Sequence, residues 1–233
     1  LAELWRLRRD TVASYVKAAR RVGDMLDIAH ADLSLEALDA SETFPQLEHG
    51  LMDEVQLRLR ADEPEAVRDL IERRREGFWA EQEGCTYAQE WETLATAADL
   101  LSIAERIEKH LERGEVSAAG LVNAYTQGDE AWCKIDTHYR RLRAQRQALG
   151  SSELGAELWG HARERYVAAT NMLAERFVEA YAQSGYQVQG VGSQREAFAR
   201  HVKPELHSVR TAYLIVDALR YEMAVELCRD DRL

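Results

Sequence analysis

The apolar positions of this chain recur mostly at steps of three and four, the spacing of helices that bury one face. From Val12 the residues Tyr15, Val16, Ala19, Val22 and Leu26 form such a stripe, predicting a helix that begins near Ala2 and ends before Ser34. Ser34 can cap a short helical turn through Leu38, after which Ser41, Thr43 and Pro45 mark a loop. A further helix is predicted from about Leu47 to Leu59. Asp62-Glu63-Pro64-Glu65 is a helix start: a capping acid, a proline where no amide is needed, and more acid at the positive dipole end. The helix it opens turns Val67, Leu70 and Ile71 inward and continues through Arg73-Arg74-Arg75 to Phe78-Trp79. Beyond Gly84, Thr86 can cap a long helix with Tyr87, Trp91, Leu94, Ala98, Leu101 and Ile107 on one face, which Gly114 terminates.

Ser117 opens a short helix to about Tyr125, Gly128-Asp129 breaks the chain, and a basic helix is predicted from Glu130 to about Ala148. After the turn Gly150-Ser151-Ser152, the residues Leu158, Ala162, Tyr166, Ala169, Leu173, Phe177 and Tyr181 give the clearest helical pattern, ended by Gly185. Gly190-Val191-Gly192-Ser193 then reads as a loop, Gln194 to Val202 as a short helix, and Pro204 as a barrier. Tyr213 to Val216 is an unbroken apolar run, which predicts a strand covered on both faces, and helical spacing resumes from Asp217. The expected organisation is a helical region over 1–184, a hinge over 185–207, and the start of a truncated α/β domain over 208–233.

Asp217 is the chemically pointed residue. In open α/β sheets ligands and metals collect beyond the carboxyl ends of strands, so a strand ending at Val216 presents Asp217 as a carboxylate for catalysis or metal binding. Asp is also a preferred N-cap, and the same residue can accept the free amides of a following helix. Both readings stand on local grounds.

Ile215-Val216-Asp217-Ala218-Leu219-Arg220-Tyr221-Glu222 resembles the first motif of the PglZ family, a branch of the alkaline phosphatase superfamily found in phage-defence (BREX) systems. Weaker echoes lie at Arg75-Glu76-Gly77-Phe78-Trp79, at Ile135-Asp136-Thr137-His138-Tyr139-Arg140, and from Arg165-Tyr166 through Asn171-Met172-Leu173. The resemblance implies a mainly α-helical fold, bundle-like, that leads into the first strand and helix of an alkaline-phosphatase-like α/β core. It implies that Asp217 binds one of two divalent metals, zinc or another such as manganese. It also implies a parent protein that is a metal-dependent phosphatase or phosphodiesterase. The nucleophile and further ligands of that superfamily come from later strands. No catalytic residue and no cofactor-binding residue besides Asp217 is therefore expected within this sequence. The chain begins without a methionine and stops soon after its motif, so it is expected to be an inactive piece of a longer protein. The implied partners are other subunits of a phage-defence complex, with a nucleic acid as a candidate substrate of the intact protein. The alternative is a non-enzymatic helical scaffold on which such a complex assembles.

Composition narrows these readings. The 233 residues carry 41 acids against 30 bases, a formal charge of −11, which argues against a surface built wholesale for DNA or anionic lipid. Cys85, Cys133 and Cys228 are odd in number and far apart, so neither a disulfide framework nor a cysteine zinc site is indicated, and a reducing cytoplasm fits. No apolar run reaches the length of a membrane span and no secretory leader is evident, so no membrane partner is expected. The seven histidines show no zinc-site spacing. Gly190-Val191-Gly192-Ser193 lacks the third glycine of a dinucleotide loop. Arg73-Arg74-Arg75 and the Arg140, Arg141, Arg143, Arg146 set read as solvated helix faces paired to acids, with nucleic-acid contact as the sharper option. Trp79, Trp91, Trp132, Trp159, Tyr15, Tyr139 and Tyr166 read as core anchors. Arg220 and Glu222 read as a surface ion pair or as groups orienting the site of Asp217.

Overall fold

Local signals set most of the helix ends. The computed structural model describes residues 5–6, 8, 10–31, 33–82, 85–114, 116–149, 155–207, 210 and 214–229. Among them are ten α-helices: α1 Val12–Met25, α2 Leu35–Asp39, α3 Gln46–Arg60, α4 Pro64–Arg75, α5 Tyr87–Glu112, α6 Ala118–Thr126, α7 Lys134–Leu149, α8 Ala156–Gln183, α9 Gln194–Ala197 and α10 Tyr221–Cys228. Ser34 caps α2 by accepting from the Ala37 amide, and Ser117 caps α6 by accepting from Gly120, as their positions predict. Pro64 begins α4. Gly185, with φ 68°, follows α8 in the left-handed conformation that favours glycine. No helix among the described residues is long and apolar enough to cross a membrane.

The helices pack as two compact units, residues 1–104 with 138–167, and residues 105–137 with 168–233. In the first, α3 contributes Leu51, Met52, Val55 and Leu59, α4 contributes Val67 and Ile71, and α5 contributes Trp91, Leu94, Ala98 and Leu101, all buried. Each large apolar side chain so placed stabilises the fold by about 1.5–3 kcal/mol before its entropy cost. Ala97, Leu100, Ile103 and Ala104 are buried as well. This part of α5 is therefore enclosed rather than one-faced, which a single predicted stripe did not capture. A second cluster joins Tyr15 and Ala19 of α1 to Trp79. Tyr15 donates to the Thr43 carbonyl at 2.9 Å and Trp79 Nε1 to the Glu42 carbonyl at 2.8 Å, so both aromatic anchors have their polar atoms satisfied.

Arg74 departs from the solvated face expected of its run. It is 3% exposed, and its guanidinium bonds Glu48 Oε1 at 3.0 Å and the carbonyls of Leu38, Asp39 and Ser41 at 3.2, 2.9 and 3.3 Å. Glu48 Oε2 accepts from Trp91 Nε1 at 2.8 Å. The neighbours Arg73 and Arg75 do behave as expected and pair with Asp39 and with Glu72 and Glu92. At the other basic helix, the Arg146 guanidinium lies 5.2 Å over the Trp159 ring, and Tyr139 stacks on Trp159 and on Tyr166 at 5.5 and 4.0 Å.

Other predictions shift for identifiable reasons. The part of the first helix expected near Ala2 lies outside the described residues. The Thr11 and Val12 amides bond back to the Arg8 carbonyl, and α1 starts at Val12. Val22 and Leu26, expected in its buried stripe, are 42% and 61% exposed. Asp62 does not cap α4. It takes a left-handed φ of 59° and its carboxylate meets His161 at 2.9 Å and Arg165 at 3.3 Å, stronger partners than backbone amides. The second unit holds Ile107, Leu111, Leu121, Trp132 and Ile135 in its core. There α7 begins at Lys134 rather than Glu130, because the Trp132 and Cys133 amides bond back to the Ala124 and Tyr125 carbonyls at the end of α6.

The strand predicted over Tyr213–Val216 is not formed among the described residues. Tyr213 lies outside them, and Leu214, Ile215 and Val216 form no regular structure and are 81%, 85% and 57% exposed. A strand exists only by pairing, and no other described segment offers one an edge. The fold is mainly helical.

Burial raises the Glu48 carboxyl above its ordinary 4.5, while Arg74 and the Trp91 bond pull it back. Arg74→Met is expected to lower unfolding free energy by about 3–5 kcal/mol at neutral pH, because it leaves a buried carboxylate and three carbonyls without their donor. With Arg74 gone the folded-state value rises further above the unfolded one, so the folded variant binds that proton more tightly and loses stability as pH rises from 4.5 through it. Urea unfolding at mildly acidic and at neutral pH should show the deficit widening with pH.

Candidate functional site

Asp217 stands after the exposed run Leu214–Val216, in a turn whose next residue, Ala218, has φ 57°. That left-handed conformation costs a β-carbon-bearing residue about 1 kcal/mol. One carboxylate oxygen of Asp217 accepts from the Ala218 amide at 2.9 Å, and the residue is otherwise exposed. The N-cap of α10 is Arg220, which makes no side-chain capping bond. Asp217 is therefore not the cap of this helix, and its carboxylate is turned outward from a bend.

The helix beyond Asp217 is anchored. Tyr221 donates from its hydroxyl to the Thr126 carbonyl at 3.2 Å, and its ring lies 5.9 Å from that of Tyr125. Glu222 is 2% exposed and its Oε1 has no hydrogen-bond partner. It is thus no surface ion pair with the exposed Arg220: its side chain is buried on the side of α10 that carries Tyr221 to the end of α6. Tyr125 donates to Asp136 Oδ2 at 2.8 Å. Burial, together with the charges of Asp136 and Glu222, holds the Tyr125 phenol far above its ordinary range. Burial pushes the Cys133 thiol up too, with Asp136 and Glu222 adding to it, so this cysteine is kept in its unreactive protonated form.

Residues from two separate sequence echoes thus meet. Asp136 belongs to the Ile135–Arg140 stretch and Glu222 to the terminal motif, and Tyr125 and Cys133 lie between them. No spacing in the sequence ties residue 125 to 222; a half-buried tyrosine needing an acceptor is the only signal for Tyr125. Three of the seven histidines are engaged elsewhere: His49 lies 3.4 Å from the Tyr87 hydroxyl, His110 is edge-on to Trp132, and His161 meets Asp62. Among the described residues no group of three or more His, Cys, Asp or Glu side chains could hold a metal ion. Asp217 is a single exposed carboxylate.

No family model, curated protein or solved structure matches this chain.

Two substitutions separate these roles. Asp217→Ala is expected to change stability by less than about 0.5 kcal/mol, as for an exposed side chain with one local bond, rather than the roughly 1 kcal/mol of a lost cap. Tyr125→Phe removes the donor to a part-buried carboxylate and should cost about 1–3 kcal/mol. Thermal and urea unfolding of the two variants read the difference.

Proposed function

We propose that this chain is the helical region and first core motif of a PglZ-type protein of anti-phage defence, whose intact form is a metal-dependent phosphatase or phosphodiesterase. The observation that carries the reading is the freedom of Asp217. In an apolar-run–Asp–helix sequence the ordinary use of the acid is to cap the helix, and here Arg220 occupies that position while the carboxylate faces outward. The exposure of Leu214, Ile215 and Val216 supports it further. A run this apolar is costly to leave in water, and it suits the first strand of an α/β core whose neighbouring strands come from other residues.

The metal is zinc or manganese. Asp217 fits it as an exposed carboxylate oxygen, but one carboxylate does not make a site, and the described residues add no ligand group to it. When bound, such a metal polarises a phosphoryl oxygen and lowers the pKa of a hydroxyl nucleophile. The part played by this chain's own residues is presentation: Tyr221 ties α10 down, and Asp217 projects from the turn before it. No catalytic step is assigned to the remaining residues, and the chain alone is expected to be inactive. The phosphodiester of a nucleic acid is within the substrate class, and the helices would join the other subunits of a defence complex.

The test uses the longest natural protein that contains this sequence, assayed for zinc- or manganese-dependent hydrolysis of an aryl phosphodiester. Asp217→Ala should reduce activity by more than about 100-fold, the upper end of what outer-sphere substitutions cost, and should reduce bound metal while leaving the helical circular dichroism unchanged. Equal activity in both forms would remove Asp217 from the chemistry. No activity and no bound metal in either form would leave a helical scaffold as the function.

A further inference from the structure

From His138 to Leu149, α7 carries four arginines and no acid, in a chain whose formal charge is −11. Tyr139, Arg143 and Arg146 follow at steps of four and three and share one flank of α7, and Trp159, Arg163 and Tyr166 do the same on α8. Both stretches belong to the first unit, and the two flanks meet: Tyr139 stacks on Trp159 at 5.5 Å and 18° and on Tyr166 at 4.0 Å and 2°. The three rings are half-buried and the three arginines are exposed. Among the described residues no acid pairs with Arg143 or Arg163. The Arg146 guanidinium lies 5.2 Å over the Trp159 ring, a neutral partner that leaves its charge in place.

Partly exposed rings beside guanidinium groups that no acid neutralises suit a single strand of nucleic acid, which needs a π-face for a base and cations for the phosphates on either side of it. A duplex keeps its base faces stacked on one another, and its dense charge is repelled by so acidic a chain over any wide contact. The Trp159 end gathers the most groups. Arg163 is one turn along the same helix, Arg146 lies over the ring, and Arg143 is one turn before Arg146.

We propose that the seam of α7 and α8 binds single-stranded nucleic acid, with one base stacked at Trp159 and Arg146 and the flanking phosphates held by Arg143 and Arg163. The site does not depend on Asp217 or on any metal.

A short fluorescent oligothymidylate is titrated against the full chain by anisotropy, beside an oligouridylate, an abasic strand of the same length and a duplex. The thymidylate or uridylate strand should bind saturably and more tightly than the abasic strand or the duplex, and the ratio of the two distinguishes DNA from RNA as the source. Arg143→Gln with Arg163→Gln should weaken binding by about tenfold and flatten the slope of log K against log salt by about 1.4, as for two lost phosphate contacts. Both positions are exposed, so this variant should keep the wild-type unfolding midpoint. Arg58→Gln with Arg73→Gln makes the same charge change at arginines already paired with acids and should leave binding unchanged. Trp159→Leu should abolish the preference for the thymidylate strand over the abasic one, which loss of packing alone does not do, and Trp159→Phe should restore it. No saturable binding, equal binding of the abasic strand, tighter binding of the duplex, or equal loss in the two arginine variants would overturn the proposal. Binding of anionic phospholipid vesicles in place of the strand would assign the seam to a membrane surface and would overturn it too.

Discussion

The Arg74 guanidinium has to be solvated by protein, and much of the first unit is arranged to do it. Three carbonyls at the end of α2 and in the loop beyond, the Glu48 carboxylate of α3, and through Glu48 the Trp91 indole of α5, all converge on one buried cation. An apolar core would accept α2, α3, α4 and α5 in several registers. A charge that tolerates no unsatisfied alternative accepts one, which makes Arg74 a determinant of register more than of net stability. One of the carbonyls it binds, that of Ser41, belongs to the loop whose Glu42 and Thr43 oxygens receive Trp79 and Tyr15, so the aromatic cluster is held to the same loop.

Much of this helical architecture was legible in the sequence because helix ends are local events. Ser34, Pro64, Ser117 and Gly185 each act within one turn of themselves, and the structure uses all four as their chemistry suggests. Arg74 was not legible. It sits in a run of three arginines, and nothing local says which of the three faces inward when the acid that receives it is 26 residues away. Asp62 failed for the same reason in reverse: a residue with every mark of a cap found a histidine and an arginine far along the chain. The strand failed differently. Leu214 to Val216 has the composition of a buried strand, but pairing is a property of two segments, and composition describes only one.

The candidate site was legible in its residue and not in its surroundings. Asp217 stands out by position, between an apolar run and a helix, and the structure removes its commonest alternative role by giving the cap to Arg220. Glu222, read as a surface ion pair or an orienting group, is buried and bears electrostatically on Tyr125 and Cys133. The turn that holds Asp217 is mildly strained at Ala218, and the helix behind it is tied down by the Tyr221 hydroxyl bond to Thr126. Anchoring behind and exposure in front leave the Asp217 carboxylate open to solvent.

The central claim is that a helical body folded around a buried cation carries an unpaired apolar run ending in an outward-facing Asp217. Native-state hydrogen exchange tests this most directly. The amides of Leu214 to Ala218 should exchange at nearly the rate of an unstructured peptide, while those of Leu94 to Ala104 in α5 should exchange only through unfolding of the whole unit. Protection at Leu214 to Val216 approaching that of α5 would mean that the run is paired in the isolated chain, and would contradict the account.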